Sequence, residues 1–332
     1  MSKARQLADL GNQVDDGAIT GSNMVVNGGM TVAQRGTSVT GATSTGYSTL
    51  DRWEHNASGG TLNMSQQSLT IGQTDIPSSF KHFFRVDATS GNNNAGVWQK
   101  IEGVDRVQGT VTLSFYAKGT NPTAGNFEIE LDQSFGSSGS SGPSYATAYE
   151  TFTVTSSWQR FTKTISVPDI TGSTIGGGDD WYRIYFRQAN SDTGTTAWTL
   201  DITGVCLNVG DSAIDFPHES YGDTLARCQR YYYTAGVNGG RTAVAAGYTS
   251  SSTSVRWTFL TPVNMRASPT YSAGDDPSAA DGGANRAVSS TSVLGFESNT
   301  VSMIGVISGS GNHRSLNINY ANNINFNLDA EL

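Results

Sequence analysis

Thr110-Val-Thr-Leu-Ser-Phe-Tyr-Ala-Lys118 is the stretch whose reading decides the fold. Val111, Leu113, Phe115 and Ala117 alternate with Thr112, Ser114, Tyr116 and Lys118, the period-two pattern of a strand with one face buried and one face polar. The same period returns on both sides of it. Phe127, Ile129 and Leu131 carry it, as do Phe152 with Val154, Ile165 with Val167, and Ile184 with Phe186. Trp198, Leu200 and Ile202 continue it into Val205 and Leu207, after a Gly204 that marks a bulge. From Asn23 to about His218 the runs are bounded by Gly, Asn, Ser or Pro and number about ten. A sheet with one apolar face must bury it against another sheet, so the expected unit is an antiparallel sandwich of the jelly-roll kind.

Composition agrees with this reading. The 332 residues include 39 Gly, 40 Ser and 38 Thr, while only 14% are charged. Thr suits a pleated surface and Gly and Ser suit tight turns, whereas the helix formers Leu, Glu, Lys and Arg are scarce. An aromatic content of 10% provides apolar surface to bury and argues against disorder. The net charge is −8 and no basic cluster occurs, which argues against binding nucleic acid through its phosphates. MSKARQLADL lacks the apolar run of a signal peptide, and no stretch is long and apolar enough to span a bilayer, so neither export by that route nor membrane insertion is expected. Cys206 and Cys228 are expected to be two buried thiols rather than a disulfide.

Four segments follow. Residues 1–22 are polar, with Leu7, Leu10 and Val14 on one helical face that is too short to be stable alone, and they read as an attachment segment ordered against a partner. Residues 23–218 form the jelly roll. Residues 219–232 form one linker helix, with Asp223 as its cap. Residues 233–332 again look strand-like and are expected to form a smaller β-sandwich, giving an all-β chain overall. Gly136–Ser144 is almost all Ser and Gly and reads as a mobile surface loop.

Several motifs occur in a recognisable order: Asn27-Gly-Gly-Met30 followed by Thr31-Val-Ala-Gln-Arg-Gly36, then Leu50-Asp-Arg-Trp53, Val111–Lys118, Ser157-Trp-Gln-Arg-Phe161, Ile202–Asp211 and Ser220–Tyr232. Together they resemble the signature of phage tail-fibre and related virion-appendage proteins, common among marine bacteriophages. Ser2–Leu10 is similar to the attachment stretch of those proteins. The resemblance covers residues 2–232, and residues 233–332 carry no motif of the group. The central domain also resembles carbohydrate-binding jelly rolls, although position 206 is Cys where such a strand more often carries Gln. The resemblance implies a homotrimeric structural protein of the virion, assembled in the host cytoplasm. It would be joined to other virion proteins through residues 1–22 and would attach to a host cell-surface glycan. A capsid-bound head fibre or decoration protein is the first alternative, and a polysaccharide depolymerase is the second.

Candidate chemistry is sparse. His55, His82, His218 and His313 lack metal-site spacing, neither cysteine neighbours a histidine, and no Gly-x-Ser-x-Gly elbow or phosphate-cradling loop occurs. No catalytic residue, metal or cofactor is therefore expected. Glu128, Glu130 and Asp132 share one strand face; they could serve as hydrolase carboxylates, but read as the solvated side of an ordinary strand. Asp51 and Arg52 read as a surface pair flanking a core Trp53. Sugars are held by rings against their apolar faces and by carboxylates, amides and Arg at their hydroxyls. Trp181 and Tyr182, which follow Asp179 and Asp180 at a loop-to-strand junction, are the carbohydrate-binding candidates. The two aspartates fall far short of a Ca²⁺ site by themselves. Asp275, Asp276 and Asp281 could form a contact tip, and the Asn residues at 317, 319, 322, 323, 325 and 327 could line a symmetric interface.

Overall fold

The structure is a computed structural model that describes residues 23–57, 60–90, 94–122, 125–140, 148–189, 197–237, 242–273, 277–280, 285–308, 315–320 and 324–332. Leu7, Leu10 and Val14 lie outside the described residues, as do His313, Asp275, Asp276, Asp281, Asn322 and Asn323. The chain divides into two compact units, one running to Thr224 and including Leu332, the other Leu225–Glu331.

The first unit is a sandwich of two antiparallel sheets. The six-stranded sheet has the order β1 (Ser38–Ala42), β3 (Thr61–Ser68), β4 (His82–Ser90), β11 (Trp198–Val209), β6 (Thr110–Thr120), β9 (Gln159–Ser166). The five-stranded sheet has the order β2 (Glu54–Asn56), β5 (Gly96–Glu102), β10 (Trp181–Gln188), β7 (Phe127–Ser134), β8 (Ala148–Phe152). Alternation drives the assembly: Val111, Leu113, Phe115 and Ala117 of β6 are fully buried, as are Ile129 and Leu131 of β7 and Ile184 and Phe186 of β10. Phe115 joins the layers, meeting Phe186 edge-on at 5.0 Å and Phe152 at 5.2 Å while stacking on Phe161 at 5.3 Å. Register slips between Thr203 and Cys206 opposite β6, with Gly204 at φ 62°, so the glycine does mark a bulge.

The segment before β1 is a staple. Asn27 sits at φ 58°; its Nδ2 donates to the carbonyls of Val32 and Asp51, and its Oδ1 accepts from the Thr31 and Val32 amides. Gly28 lies so near β11 that a Cβ would fall 2.1 Å from the Val205 carbonyl oxygen. Asp51 and Arg52 are both buried, which corrects the surface-pair reading: Asp51 accepts from the Gln34 amide at 2.8 Å, and Arg52 donates to the Lys100 carbonyl. Burial raises the Asp51 carboxyl above its ordinary range, against the pull of Gln34 and Arg35. Trp53 is in the core, as expected.

The helix is α1 (Tyr221–Gln229). Its cap is Ser220 rather than Asp223: Ser220 Oγ accepts from the Asp223 amide at 3.2 Å and donates to the Asp223 carboxylate at 2.7 Å, a reciprocal arrangement across three residues. Cys206 and Cys228 are free and buried.

The second unit is also built mainly of strands, but its larger sheet closes on itself as a barrel. The barrel order is β13 (Thr242–Thr249), β14 (Ser254–Leu260), β18 (Thr300–Ile307), β17 (Asn285–Glu297), β16 (Ser278–Ala280), β19 (Ser315–Tyr320). Beside it, β12 (Tyr232–Val237), β20 (Ile324–Asp329) and β15 (Thr270–Ala273) form a three-stranded sheet. A barrel of so few strands has a narrow interior, which large residues fill only where small ones face them. Trp257 supplies the bulk, and Gly305 and Gly247 give way to it: a Cβ at Gly305 would lie 3.3 Å from the indole and 2.3 Å from Val288. Phe259 of β14 stacks on Phe326 of β20 at 4.6 Å, tying barrel to sheet. Asn317 and Asn327 lie on β19 and β20, where they alternate with buried Leu316, Ile318, Phe326 and Leu328.

Candidate functional site

The outer face of the five-stranded sheet carries almost no aliphatic residue. Register places four rows across it: Asn56, Gly96, Arg187, Glu128 and Thr151; Glu54, Trp98, Tyr185 and Glu130; Lys100, Arg183 and Asp132; and Glu102, Trp181 and Ser134. Arg187 and Arg183 of β10 thus stand opposite Glu128 and Asp132 of β7 in alternate rows, with Tyr185 opposite Glu130 between them.

These groups are recessed. The Asp132 side chain is 0% exposed and that of Glu130 7%, which corrects the solvated-strand reading of Glu128, Glu130 and Asp132. The face inverts the usual rule because each carboxylate meets a guanidinium of the next strand. Arg183 pairs with Asp132 and reaches Glu130 at 3.6 Å, while Arg187 holds Glu130 at 2.9 Å and Glu128 at 3.0 Å. Glu54 accepts from the Trp98 indole at 2.6 Å and pairs with Lys100 at 3.3 Å. The rings form a platform beneath the charges: Trp98 meets Tyr185 edge-on at 4.8 Å, and the Arg183 guanidinium lies 4.8 Å from the Trp98 ring, 5.2 Å from Tyr185 and 5.7 Å from Trp181. Lys100 sits 5.6 Å over Trp181.

Both ends are pinned. At one, Tyr185 Oη donates to the Asn94 carbonyl, Arg187 donates to the Asn94 side chain, and Asn56 Nδ2 donates to Tyr185 Oη at 3.0 Å. At the other, Asp179 accepts from the Ser137 amide at 2.8 Å, Ser140 N donates to the Thr174 carbonyl at 2.7 Å, and Asp180 accepts from the Val104 amide at 2.7 Å. The described part of the Ser/Gly loop, 136–140, is therefore tied down.

Of the four sequence candidates, only Trp181 is on this face. Tyr182 points the other way, into the core with 0% exposure, because adjacent strand residues face opposite sides; it leaves the candidate set. Asp179 and Asp180 brace the loops beside Trp181. No cluster of three or more metal-ligating side chains occurs among the described residues. Trp98, Lys100, Arg183, Tyr185 and Arg187 were missed. Their signal is the pattern Trp181-x-Arg183-x-Tyr185-x-Arg187, charge-complementary to Glu128-x-Glu130-x-Asp132 some fifty residues earlier.

Burial, reinforced by Asp132 beside it, raises the Glu130 carboxyl from 4.5 to about 7, against the lowering pull of Arg187 and Arg183. A raised acid binds its proton more tightly when folded, so this group favours folding most at low pH and loses that contribution as pH rises from about 4.5 to about 7. Glu130→Gln removes the titration. Urea titrations across that window are expected to show the variant gaining on the parent by about 1 kcal/mol per pH unit as pH rises. Parallel profiles would contradict the assignment.

No family model matches the chain, and no curated protein matches it. Among solved structures it is similar to a putative sugar binding protein from Bacteroides thetaiotaomicron, at 14% identity over 56% of this chain and 99% of that one, with a TM-score of 0.35. It is also similar to the N-terminal cellulose-binding domain of a β-1,4-glucanase from Cellulomonas fimi, at 22% identity over 40% and 80% of the two chains, with a TM-score of 0.29. A third likeness is to the enzymatically active domain of tailspike protein 4 of bacteriophage CBA120, at 14% identity and a TM-score of 0.32, covering 56% of this chain and 21% of that one. All three are distant.

Proposed function

We propose that the first unit binds an extended glycan along the outer face of its five-stranded sheet, without cleaving it. The observation that carries this is the recessed platform of Trp98, Tyr185 and Trp181 overlaid by Arg183 and Lys100 and edged by Glu54 and Glu128. The half-buried Trp181 offers ring surface to the C–H face of a sugar, the buried Trp98 and Tyr185 hold the Arg183 guanidinium from below, and fixed planar charged groups donate to and accept from hydroxyls. The held orientation of every charge lowers the ordering cost of binding. The order of the sequence motifs further supports a homotrimeric virion appendage, a tail fibre whose copies multiply weak contacts with a host surface.

Trp181 is the test residue, because it is only half-buried and removable without opening the core. Labelled protein is expected to bind host cells and their purified surface polysaccharide, and Trp181→Ala is expected to weaken binding to the polysaccharide about tenfold, equivalent to about 1.4 kcal/mol. Binding equal to that of the parent would count against the sheet face. Light scattering is expected to give three copies per particle, and antibodies against the second unit are expected to label virion tails.

A depolymerase is the second reading, favoured by Glu130 titrating near neutrality beside Asp132. Both carboxylates are engaged by guanidinium groups, which leaves neither poised for a glycosidic bond. Incubation with host polysaccharide is expected to release no new reducing ends. Release that Glu130→Gln abolishes would establish hydrolysis.

A further inference from the structure

The opposite face of the first unit, the outer side of the six-stranded sheet, holds a pocket of about 230 Å³. Ser114 and Tyr116 of β6 and the bulge residue Gly204 lie along its sheet side. Phe80, from the connection between β3 and β4, and Phe216 and His218, from the segment after β11, form its aromatic wall. Gly204 is required for that wall: a Cβ there would lie 2.6 Å from Phe80 and 3.3 Å from Tyr116.

The rings make a cup rather than a stack. Phe80 touches Tyr116, Phe216 and His218 at 5.4, 5.1 and 5.0 Å, each tilted by 57–58°, so no parallel ring closes the space. Burial lowers the His218 pKa, which keeps its imidazole neutral at pH 7 and consistent with an apolar wall.

Arg160 and Asp215 line the same pocket and do not pair with each other. Arg160 donates to the Ile214 carbonyl at 3.1 Å and meets no carboxylate within ion-pair reach among the described residues. A strong donor and a strong acceptor thus face one small space with aromatic walls. Its volume is below the roughly 300 Å³ at which sites for drug-sized ligands begin, so it suits a single ring. A six-membered polyol fits both features: one face of C–H bonds for Phe216 and His218, and a rim of hydroxyls that accept from Arg160 and donate to Asp215. A flat hydrocarbon would leave both charged groups unused.

We propose that this pocket binds a single pyranose ring, the terminal residue of a glycan, as a second sugar site independent of the five-stranded face. The inference rests on the glycan reading above for its ligand class but not for its residues. The first site would take the length of a chain and the second its end, so that one copy of the protein could engage a glycan in two ways.

Saturation-transfer NMR of the whole protein with D-glucose, D-galactose, D-mannose and N-acetyl-D-glucosamine tests it. At least one sugar is expected to bind with a Kd of about 1 mM. Asp215→Ala, an exposed change made with a thermal melt as folding control, is expected to weaken that binding about fivefold, the effect of one hydrogen bond. Trp181→Ala is expected to leave it unchanged. If host polysaccharide binds but none of the four sugars does, the pocket proposal is overturned and the sheet face stands. A monosaccharide signal lost in Trp181→Ala and kept in Asp215→Ala belongs to the sheet face and also overturns the pocket. A signal sensitive only to Asp215, with no polysaccharide binding, upholds the pocket and overturns the sheet face.

Discussion

Replacing Arg183 with Met is expected to destabilise the first unit by about 3–5 kcal/mol, the usual cost of removing one partner from a buried ion pair. Asp132 has no exposed side-chain surface, and the variant leaves its buried charge without the Arg183 guanidinium. Replacing the pair together, as Arg183→Met with Asp132→Leu, removes the stranded charge and is expected to recover most of the stability. The double variant is nevertheless expected not to bind glycan, because the cation over Trp98, Tyr185 and Trp181 is gone. Urea titration of both variants with a binding assay separates the two roles. If the double variant were as unstable as the single one, packing of the Arg183 stem rather than its charge would be the cause.

The second large effect lies at the start of the sandwich. Gly28→Ala is expected to cost about 3 kcal/mol or more, within the range of severe core changes. Its Cβ would meet the Val205 carbonyl oxygen at 2.1 Å, and both nearby backbones are held: the Val205 amide donates to the Gly28 carbonyl at 3.0 Å, and Asn23 Nδ2 donates to the Val205 carbonyl at 2.9 Å. Relief requires breaking at least one of these bonds in a buried place. Asn27→Ala, one residue earlier, is expected to cost about 2 kcal/mol by leaving buried amides and carbonyls without partners. A matched control is Gly29→Ala, where the nearest atom is 3.5 Å away, on the Phe216 ring, and little loss is expected. Equal melting temperatures for Gly28→Ala and the parent would show that the approach to β11 is not rigid.

The sandwich was legible because burial on one side of a strand writes itself into sequence at period two, and Val111–Ala117 and Phe127–Leu131 show that period plainly. The same rule, applied within the pair Trp181–Tyr182, separates the face residue from the core residue. The charged face was not legible as a site, because an alternating acid strand looks the same whether its outer side meets water or arginine. Only the pairing of β7 with β10 decides between them, and that contact is long-range. The barrel was hidden for a related reason: closure depends on Gly247 and Gly305 facing Trp257, three positions on three strands with nothing in their local sequence to link them. Ser220 was overlooked as a cap although Ser-x-x-Asp precedes the helical run.

The most direct measurement uses the six tryptophans as reporters. Trp98 and Trp181 lie on the five-stranded face; Trp53 and Trp198 are in the sandwich core, Trp158 is buried against the outer side of the other sheet, and Trp257 fills the barrel. Indole N–H signals in a ¹⁵N-labelled sample, followed while host-surface oligosaccharide is added, are expected to move for Trp98 and Trp181 and stay fixed for Trp53, Trp198 and Trp257. Saturating binding with Trp98 and Trp181 unmoved would contradict the assignment of the glycan site to this face.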